Sequence, residues 1–220
     1  MIAIIPAKKK SKRLPGKNIK LLFGKPLIAY AIQASLKAKG ITRTIVSTDC
    51  PKIAKISKKY GAEIPFLRPK SLTADSVEKF DVCKHAINFL QKKEKKKIES
   101  VIVLQPTSPL TLPKDIDKAI KVFKKKKANL VVSLCETKPI EWNRYIRSNG
   151  TFYKIVKNQK NKKNYLLNGS IFIFSKSFLK KKANYNEKSF AYVMPRKRSV
   201  DIDDIEDFLY AKYLISRNYK

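Results

Sequence analysis

The first loop of the chain combines cationic side chains with turn residues in a pattern suited to holding a polyphosphate. It runs from Lys8 to Asn18 and reads KKKSKRLPGKN. Lysine and arginine neutralise phosphate charge, and Arg13 adds a planar fork of donors. Pro15 and Gly16 are turn residues that a solvated lysine run does not need. Lysine is common throughout the chain, which has 50 Lys+Arg against 17 Asp+Glu. The mixture of residue types, and not the lysines alone, therefore distinguishes this loop from the other basic stretches.

Two carboxylates near the carboxyl end of the chain could bind a divalent cation. Asp201 and Asp203 are two residues apart, and on an extended segment such residues point to the same side while Ile202 faces the core. Carboxylate oxygens are ligands of hard cations such as Mg²⁺. The alternative is a helix start, because acidic residues favour the amino end of a helix. We assign that alternative to the acidic residues that follow, which are Asp204, Glu206 and Asp207.

Strands and helices alternate between these two groups. The hydrophobic pattern predicts strands at residues 1–5, 44–47, 62–64, 101–104, 129–134 and 191–194. It predicts one helix that begins at residue 26 and four further helices at residues 52–60, 76–91, 114–125 and 205–216. This alternation is typical of an α/β fold with a mostly parallel sheet, whose ligands bind at the carboxyl ends of the strands.

The pattern changes to polar, irregular sequence between about residues 136 and 188. Paired strands are predicted there at 152–156 and 166–174. Such an insertion either covers an active site or reaches a partner. We find no internal repeat and no linker, so residues 1–220 are expected to form one domain that contains this insertion.

The composition narrows the class of protein. The net charge of +33 invites a nucleic-acid interpretation, but the charge is spread along the chain and no zinc-finger, basic-zipper or RNA-binding motif accompanies it. No apolar run approaches the about 20 residues that cross a bilayer, and the first strand begins at Ile2, so we expect a cytoplasmic protein. Three separated cysteines, Cys50, Cys83 and Cys135, predict apolar packing and neither a disulfide nor a metal site.

Four sequence blocks resemble the acylneuraminate cytidylyltransferases, the enzymes that make CMP-sialic acid and related CMP-sugars. The blocks are SKRLPGKN at residues 11–18, LQPTSPL at 104–110, NGSIFI at 168–173 and SVDIDDIEDF at 199–208. They occur in the order found in that family and span nearly the whole chain. The resemblance implies a Rossmann-like nucleotidyltransferase domain with a small β-rich dimerisation insertion, and a homodimer.

The same resemblance implies the reaction and the residues that bind CTP. The anomeric hydroxyl of a 2-keto-3-deoxy sugar acid would attack the α-phosphate of CTP with Mg²⁺ bound by Asp201 and Asp203. Lys17 and Asn18 match phosphate-binding positions, and Lys8 stands where an arginine is usual. The remaining CTP-binding candidates are Ser11 and Arg13, which would also support the loop, and Arg68 and Asp75 near the cytosine. Lys17, Asp201 and Asp203 are the implied catalytic residues.

The candidates for the sugar acid are three residues from the middle blocks. Gln105 directly follows a predicted buried strand, and Asn168 and Phe172 lie in the third block. Asn168-Gly169 alone would equally predict a hairpin turn. Phe172 replaces a tyrosine that is common in the family, and Leu166 stands where some members have an arginine, so carboxylate recognition is expected to differ.

The resemblance implies that the acceptor is a nonulosonic acid, which is a nine-carbon sugar acid such as sialic, legionaminic or pseudaminic acid. Two alternatives to this function stay open from the sequence. One is transfer of CMP to the eight-carbon acid Kdo, whose enzymes share the first loop. The other is a non-catalytic basic module that binds nucleic acid or another protein. Lys8, Lys9 and Lys10 keep that alternative open, because Lys8 replaces the usual arginine and the other two replace small residues, usually glycine, where the loop approaches phosphate. Each of Lys9 and Lys10 could contact phosphate or face water.

Overall fold

A mostly parallel sheet forms the middle of the fold. The computed structural model describes residues 1–138, 163–180 and 188–217, and the backbone of 144–146 and 152–154. The strands are β1 (Ile2–Pro6), β2 (Leu21–Leu22), β3 (Lys25–Pro26), β4 (Arg43–Ser47), β5 (Ser100–Leu104), β6 (Leu130–Thr137), β7 (Arg144–Ile146), β8 (Phe152–Lys154), β9 (Asn164–Ser175) and β10 (Ser189–Met194). Six of them form one sheet in the order β10-β6-β9-β5-β1-β4. Only β9 is antiparallel to its neighbours, which confirms the predicted sheet type.

Helices cover both faces of this sheet. They are α1 (Leu27–Lys37), α2 (Pro51–Lys59), α3 (Lys79–Glu94), α4 (Pro113–Lys125), α5 (Lys176–Lys180) and α6 (Ile205–Ser216). Successive strand residues point to opposite faces, so Ala3 and Ile5 pack with α1, α2 and α4, whereas Ile4 packs with α3 and α5. A third apolar cluster joins α6 to Leu14 of the first loop and to Ile202. That cluster holds the two ends of the chain together.

The boundaries of most predicted elements agree with the structure. The helix predicted at residues 76–91 instead begins at Lys79, and the strand predicted at 62–64 is a single bridge between Ile45 and Glu63. The start of α6 is confirmed, with Asp204 as its N-cap: the Asp207 N–H donates to Asp204 Oδ1 at 3.0 Å. The three cysteines are free and buried, as expected for packing.

The predicted pairing inside the insertion is wrong. β8 pairs with β7, while β9 lies between β5 and β6 in the central sheet. β9 belongs there because both of its faces are apolar, with Ile171 and Ile173 on one side and Phe174 on the other. Within this segment, residues 139–143, 147–151, 155–162 and 181–187, and with them Trp142, lie outside the described residues.

Asn168 and Gly169 form an irregularity within β9 and not a hairpin turn. Gly169 has a φ of +73°, and the register of β9 against β6 shifts between Val132 and Leu134. A residue with positive φ inside an antiparallel pair is typical of a β-bulge, which bends the strand and redirects its side chains. At this irregularity the backbone of Gly169 lies next to the Asp201 carboxylate.

Candidate functional site

A cleft of about 570 Å³ opens at the carboxyl edge of the sheet, beyond the ends of β1 and β5. Every sequence-predicted residue for CTP and metal lines this cleft, and so does one sugar-acid candidate. These residues are Lys8, Ser11, Arg13, Lys17, Asn18, Arg68, Asp75, Gln105, Asp201 and Asp203. They come from four separate parts of the chain, and the fold brings them together in one cleft. Lys9 and Lys10 are exposed and are not part of its lining.

The first loop is fixed to the acid pair by its own cations. The Lys17 ammonium donates to the carbonyl oxygen of Ile202 at 2.6 Å and pairs with Asp203 at 3.2 Å. Arg13 pairs with the other oxygen of Asp203 at 2.7 Å. Asn18 is buried and donates to the carbonyl oxygen of Lys8 at 2.9 Å, which closes the loop on itself. These hydrogen bonds and ion pairs therefore hold the backbone of the loop that carries the cationic side chains.

Asp75 holds two lysines at the mouth of the cleft. Its carboxylate forms ion pairs with Lys8 and with Lys12, the latter at 2.7 Å. Hydrogen bonds, first from Lys12 and then from Lys8, lower the pKa of Asp75 to about 2. Asp75 is therefore ionised at neutral pH, and it joins the first loop to the segment that precedes α3.

Arg68 and Asp49 support the walls of the cleft. Arg68 is buried, and its guanidinium donates to the Ser47 hydroxyl at 3.1 Å and to the Ser47 carbonyl oxygen at the end of β4. Burial lowers the pKa of Arg68. Asp49 accepts from the backbone N–H of Lys9 at 2.8 Å, so it caps the first loop. Both side chains therefore form hydrogen bonds within the protein.

The acid pair has the arrangement expected of an extended segment. Ile202 is fully buried in the cluster with α6, while Asp201 and Asp203 both line the cleft. Burial raises the pKa of Asp201, and the neighbouring Asp203 raises it further. Oδ1 of Asp201 is buried and has no hydrogen-bond partner among the described residues. An unsatisfied buried carboxylate oxygen beside a second carboxylate fits a divalent cation.

Gln105 faces the same space. Its backbone N–H donates to the carbonyl oxygen of Ser170 at 3.2 Å, which fixes the residue at the end of β5. Its side-chain Nε2 is buried without a hydrogen-bond partner in the described part of the chain. A buried amide that lacks a partner is available to donate to a ligand hydroxyl or carboxylate.

Comparison with known proteins assigns the family. The model of the Cytidylyltransferase family matches residues 2–214. The chain belongs to the cytidylyltransferase family. It is 37% identical to a CMP-N,N'-diacetyllegionaminic acid synthase from Legionella pneumophila over 99% of this chain and 97% of that protein. It is 33% identical to a pseudaminic acid cytidylyltransferase from Campylobacter jejuni over 100% of this chain and 97% of that protein.

Further relatives agree with this family at the level of sequence or fold. An N-acylneuraminate cytidylyltransferase from Escherichia coli is 36% identical over 94% of this chain and 50% of that protein. A CMP:2-keto-3-deoxy-manno-octonic acid synthetase, solved in complex with CTP, superimposes with a TM-score of 0.76 at 15% identity, over 99% of this chain and 98% of that one. The predicted nucleotidyltransferase fold is confirmed.

Two predicted residues of this cytidylyltransferase lie outside the cleft. Asn168 is buried, where its amide donates to the Ser199 hydroxyl at 2.8 Å and its Oδ1 accepts from the Ser133 hydroxyl at 2.6 Å. It therefore connects β9 to β6 and to the segment before Asp201. Phe172 lines a neighbouring cavity. The structure thus separates these two positions from the CTP and metal candidates.

Sequence reasoning missed Lys79 and a buried ion pair. Lys79 lines the cleft and is the first residue of α3. The predicted helix began at residue 76, so Lys79 was expected inside the helix and not at its start. Asp115 is completely buried and accepts from Arg198 at 2.7 and 2.9 Å and from the Tyr192 hydroxyl at 2.8 Å. This pair anchors the turn that leads into Asp201. Only the position of Asp115 at the start of a predicted helix could have pointed to it.

No helix among the described residues combines the length and the apolar character that crossing a bilayer requires.

Proposed function

We propose that this cytidylyltransferase transfers CMP from CTP to the anomeric hydroxyl of a nonulosonic acid. The hydroxyl oxygen forms a bond to the α-phosphorus, the bond from that phosphorus to the bridging oxygen breaks, pyrophosphate leaves, and the hydroxyl loses its proton. Relatives at 33–37% identity bear the names of legionaminic, pseudaminic and neuraminic acid enzymes. Two of them align over nearly their full length, which supports this acceptor class for the present chain.

One observation carries the proposal. The Lys17 ammonium contacts both Ile202 and Asp203, so a cation of the first loop and the acid pair face the same space. A polyphosphate and a metal have to meet in such a space for phosphoryl transfer. Among the described cavities, the cleft combines these two groups with Gln105 at a strand end.

We assign the roles of the site residues on the same basis. Lys8, Ser11, Arg13, Lys17 and Asn18 would bind or position the triphosphate. Arg68 and Asp75 would shape the nucleotide side, and Gln105 would orient the acceptor. Asn168 would position the acceptor indirectly through the bulge of β9, and Phe172 would do so through the neighbouring cavity.

Mg²⁺ belongs to this proposal, with Asp201 and Asp203 as its protein ligands. The described residues contain no cluster of three or more His, Cys, Asp or Glu, so phosphate and water oxygens would complete the coordination, as is usual for Mg²⁺. When bound, the ion would neutralise charge on the phosphates. The protein would contribute the fixed carboxylates and the surrounding cations.

The proposal includes a cytoplasmic homodimer. Large apolar side chains are exposed on β9 and β10, and these are Tyr165, Leu166, Leu167 and Val193. Clustered exposed apolar residues are typical of a protein–protein interface. Light scattering at several protein concentrations tests the dimer, and cell fractionation tests the location. No specific nucleic-acid or membrane partner is proposed.

The decisive experiment measures pyrophosphate release with CTP and Mg²⁺. The acceptors are N-acetylneuraminic, legionaminic and pseudaminic acids and Kdo, and Asp203→Ala is the control. Turnover with a nine-carbon acid that disappears in the variant supports the proposal. Preference for Kdo would move the protein to the eight-carbon enzymes. The absence of pyrophosphate release with all four acceptors, in a protein that is folded, would favour the non-catalytic basic module.

A further inference from the structure

The segment of residues 69–77 contributes to the walls of both the cleft and a second cavity of about 520 Å³. We call this segment the strap. It follows the buried Arg68, contains the short 3₁₀ helix Lys70–Leu72 and ends beside Glu78, the N-cap of α3. The strap residues that line the cleft are Leu72, Ala74, Asp75 and Val77, and those that line the second cavity are Asp75, Ser76 and Val77. A movement of the strap would therefore change both cavities.

The strap has few attachments to the rest of the fold. None of its nine residues is buried, and none belongs to the three apolar clusters. Its backbone hydrogen bonds are local, because each joins residues that are three positions apart within the strap. Among the described residues, its only hydrogen bonds or ion pairs with other parts of the chain are those of the Asp75 carboxylate. Segments with few buried contacts open more readily than the core of a protein.

Asp75 attaches the strap to the first loop through two exposed ion pairs, which we call the Asp75 latch. It pairs with Lys8 and with Lys12, the latter at 2.7 Å. The side chains of Asp75 and Lys12 are 54% and 84% exposed. Exposed pairs of this kind contribute little to stability, because water and salt screen them. A ligand with more negative charge than one carboxylate can therefore displace Asp75 from these lysines.

The other carboxylate that pairs with the first loop is anchored more firmly. Asp203 pairs with Arg13 and Lys17. The preceding residue, Ile202, is fully buried, and its carbonyl oxygen accepts a hydrogen bond from Lys17. The residues on either side of Asp75, in contrast, are exposed. Of the two carboxylates that face the loop, Asp75 is thus the one whose segment can move.

The proposed function brings a triphosphate to the lysines of the latch. Lys8 and Lys12 cannot each pair fully with Asp75 and with phosphate oxygens, so the two anions compete. A triphosphate carries several negative charges and many acceptor oxygens, whereas Asp75 carries one charge. The triphosphate therefore takes the lysines, and the strap loses its polar connection to the loop.

We propose that the Asp75 latch holds the strap against the first loop in the ligand-free protein, and that a polyphosphate bound to Lys8 and Lys12 releases it. The inference rests on the proposed function, which places a triphosphate at these lysines. It makes Asp75 a residue that limits the affinity for polyphosphate, because its carboxylate must lose two cations before the ligand gains them. Release then lets the strap adjust the walls of the cleft and the second cavity once the nucleotide is bound.

Hydrogen–deuterium exchange with inorganic tripolyphosphate tests the release. This probe carries the phosphates but has neither base nor ribose, so it cannot hold the strap through the rest of a nucleotide. Without Mg²⁺, saturating tripolyphosphate should speed the exchange of the strap amides by about 3- to 10-fold, the range expected for the loss of two exposed ion pairs. The amides of the first loop should become slower in the same experiment, because they lie at the bound ligand.

Three variants connect this effect to the Asp75 carboxylate. Asp75→Asn removes the latch, so its strap should exchange fast without ligand and respond little to tripolyphosphate. By calorimetry at low salt, the same variant should bind tripolyphosphate about 3- to 10-fold more tightly than wild type. Asp75→Glu keeps the carboxylate and should behave as wild type. Glu78→Gln is the matched control, because Glu78 is an exposed carboxylate beside the strap that forms no ion pair with any described residue.

The outcomes separate the latch from the proposed function. Strap exchange that slows or stays constant when tripolyphosphate binds the wild type overturns the latch, and so does weaker binding by Asp75→Asn. Equal gains in affinity for Asp75→Asn and Glu78→Gln would reduce the effect to net charge and would also overturn it. Wild-type protein that binds neither tripolyphosphate nor CTP would instead refute the proposed function, and the latch with it.

Discussion

The Nζ atom of Lys17 lies 2.6 Å from the carbonyl oxygen of Ile202, a residue 185 positions further along the chain. The same ammonium reaches Asp203 at 3.2 Å. Because the hydrogen bond is made to the backbone, it fixes the path of the segment on which Asp201 and Asp203 are arranged. The loop that supplies the cations is thus bonded directly to the segment that supplies the carboxylates.

Replacing Lys17 with methionine should therefore remove both a cation and this connection. We expect kcat/KM for CTP to fall by about 100-fold or more, the range seen when one preorganised electrostatic contact is lost at a reacting centre. Lys10→Met is the matched control, because Lys10 is an exposed lysine of the same loop that does not line the cleft. Similar kinetics for the two variants would contradict the assignment of Lys17.

Gly169 leaves room for the Asp201 carboxylate. A Cβ atom at position 169 would lie closer to Oδ2 of Asp201 than unbonded atoms approach. We expect Gly169→Ala to displace Asp201 and to abolish most Mg²⁺-dependent turnover. It should also lower the free energy of unfolding by about 1–2 kcal/mol, because alanine is strained at positive φ. Thermal unfolding and pyrophosphate release measure the two effects.

Gly24→Ala separates strain from displacement. Gly24 has the same φ of +73°, but a Cβ there would have open space around it. This variant should show a similar loss of stability with full activity. If Gly24→Ala and Gly169→Ala lose activity equally, displacement of Asp201 is not the cause.

Asp201 should destabilise the metal-free protein at neutral pH. Burial raises its folded-state pKa above the unfolded value, so the protonated form favours the fold and this benefit is lost as pH rises through the folded pKa. Asp201→Asn should therefore raise the Tm at pH 7 without metal, by about 2–4 °C for each kcal/mol recovered. The variant should also lose the Mg²⁺-dependent rise in Tm.

The gain from Asp201→Asn should shrink as pH falls toward 4, since Asp201 then becomes protonated in the wild type. Asp203→Asn is the comparison, because Asp203 is paired with Arg13 and Lys17 and offers no such gain. Differential scanning fluorimetry across pH, with and without Mg²⁺, makes the measurement. A lower Tm for Asp201→Asn than for wild type at pH 7 would contradict the prediction.

The hydrogen bonds of Asn168 predict a structural cost on truncation. Asn168→Ala removes the partner of Ser133 and of Ser199 in a buried region. We expect the free energy of unfolding to fall by about 1–3 kcal/mol. Urea unfolding measures that loss, and acceptor kinetics separate it from direct binding. A raised acceptor KM at unchanged stability would show that Asn168 contacts the sugar acid itself.

The buried pair of Asp115 and Arg198 should be among the most sensitive positions. Arg198→Met leaves the Asp115 carboxylate buried without its cation, so we expect a loss of about 3–5 kcal/mol in the free energy of unfolding. Arg196→Met is the control, since Arg196 lies in the same 3₁₀ helix, Arg196–Arg198, but is exposed. Urea unfolding of both variants makes the comparison.

The effect of Arg198→Met should depend on pH. Burial alone would raise the pKa of Asp115, but hydrogen bonds from Arg198, Leu112 and Tyr192 outweigh it and lower the pKa. The stability that the pair contributes is therefore present above the unfolded pKa of about 4 and is lost as pH falls through the lower folded value. The difference between wild type and variant should narrow below about pH 4 and be constant from pH 6 to 8.

The sequence alone determined the sheet type, most element boundaries and ten of the cleft residues. Hydrophobic periodicity reports which faces of a segment are buried, and a short motif reports local backbone shape and charge. Both kinds of information are carried by residues near one another in the chain. This is why the first loop and the Asp201-Ile202-Asp203 segment could each be interpreted separately.

Only the tertiary structure decided how distant segments meet. The place of β9 between β5 and β6, the approach of Gly169 to Asp201 and the position of Lys79 beside Phe172 all depend on contacts between residues far apart in sequence. Such contacts are chosen by packing and by satisfaction of buried polar groups, which no local pattern records. For the same reason Asn168, assigned by motif, was found bonded inside the fold, whereas Lys79, hidden among many lysines, lies at the site.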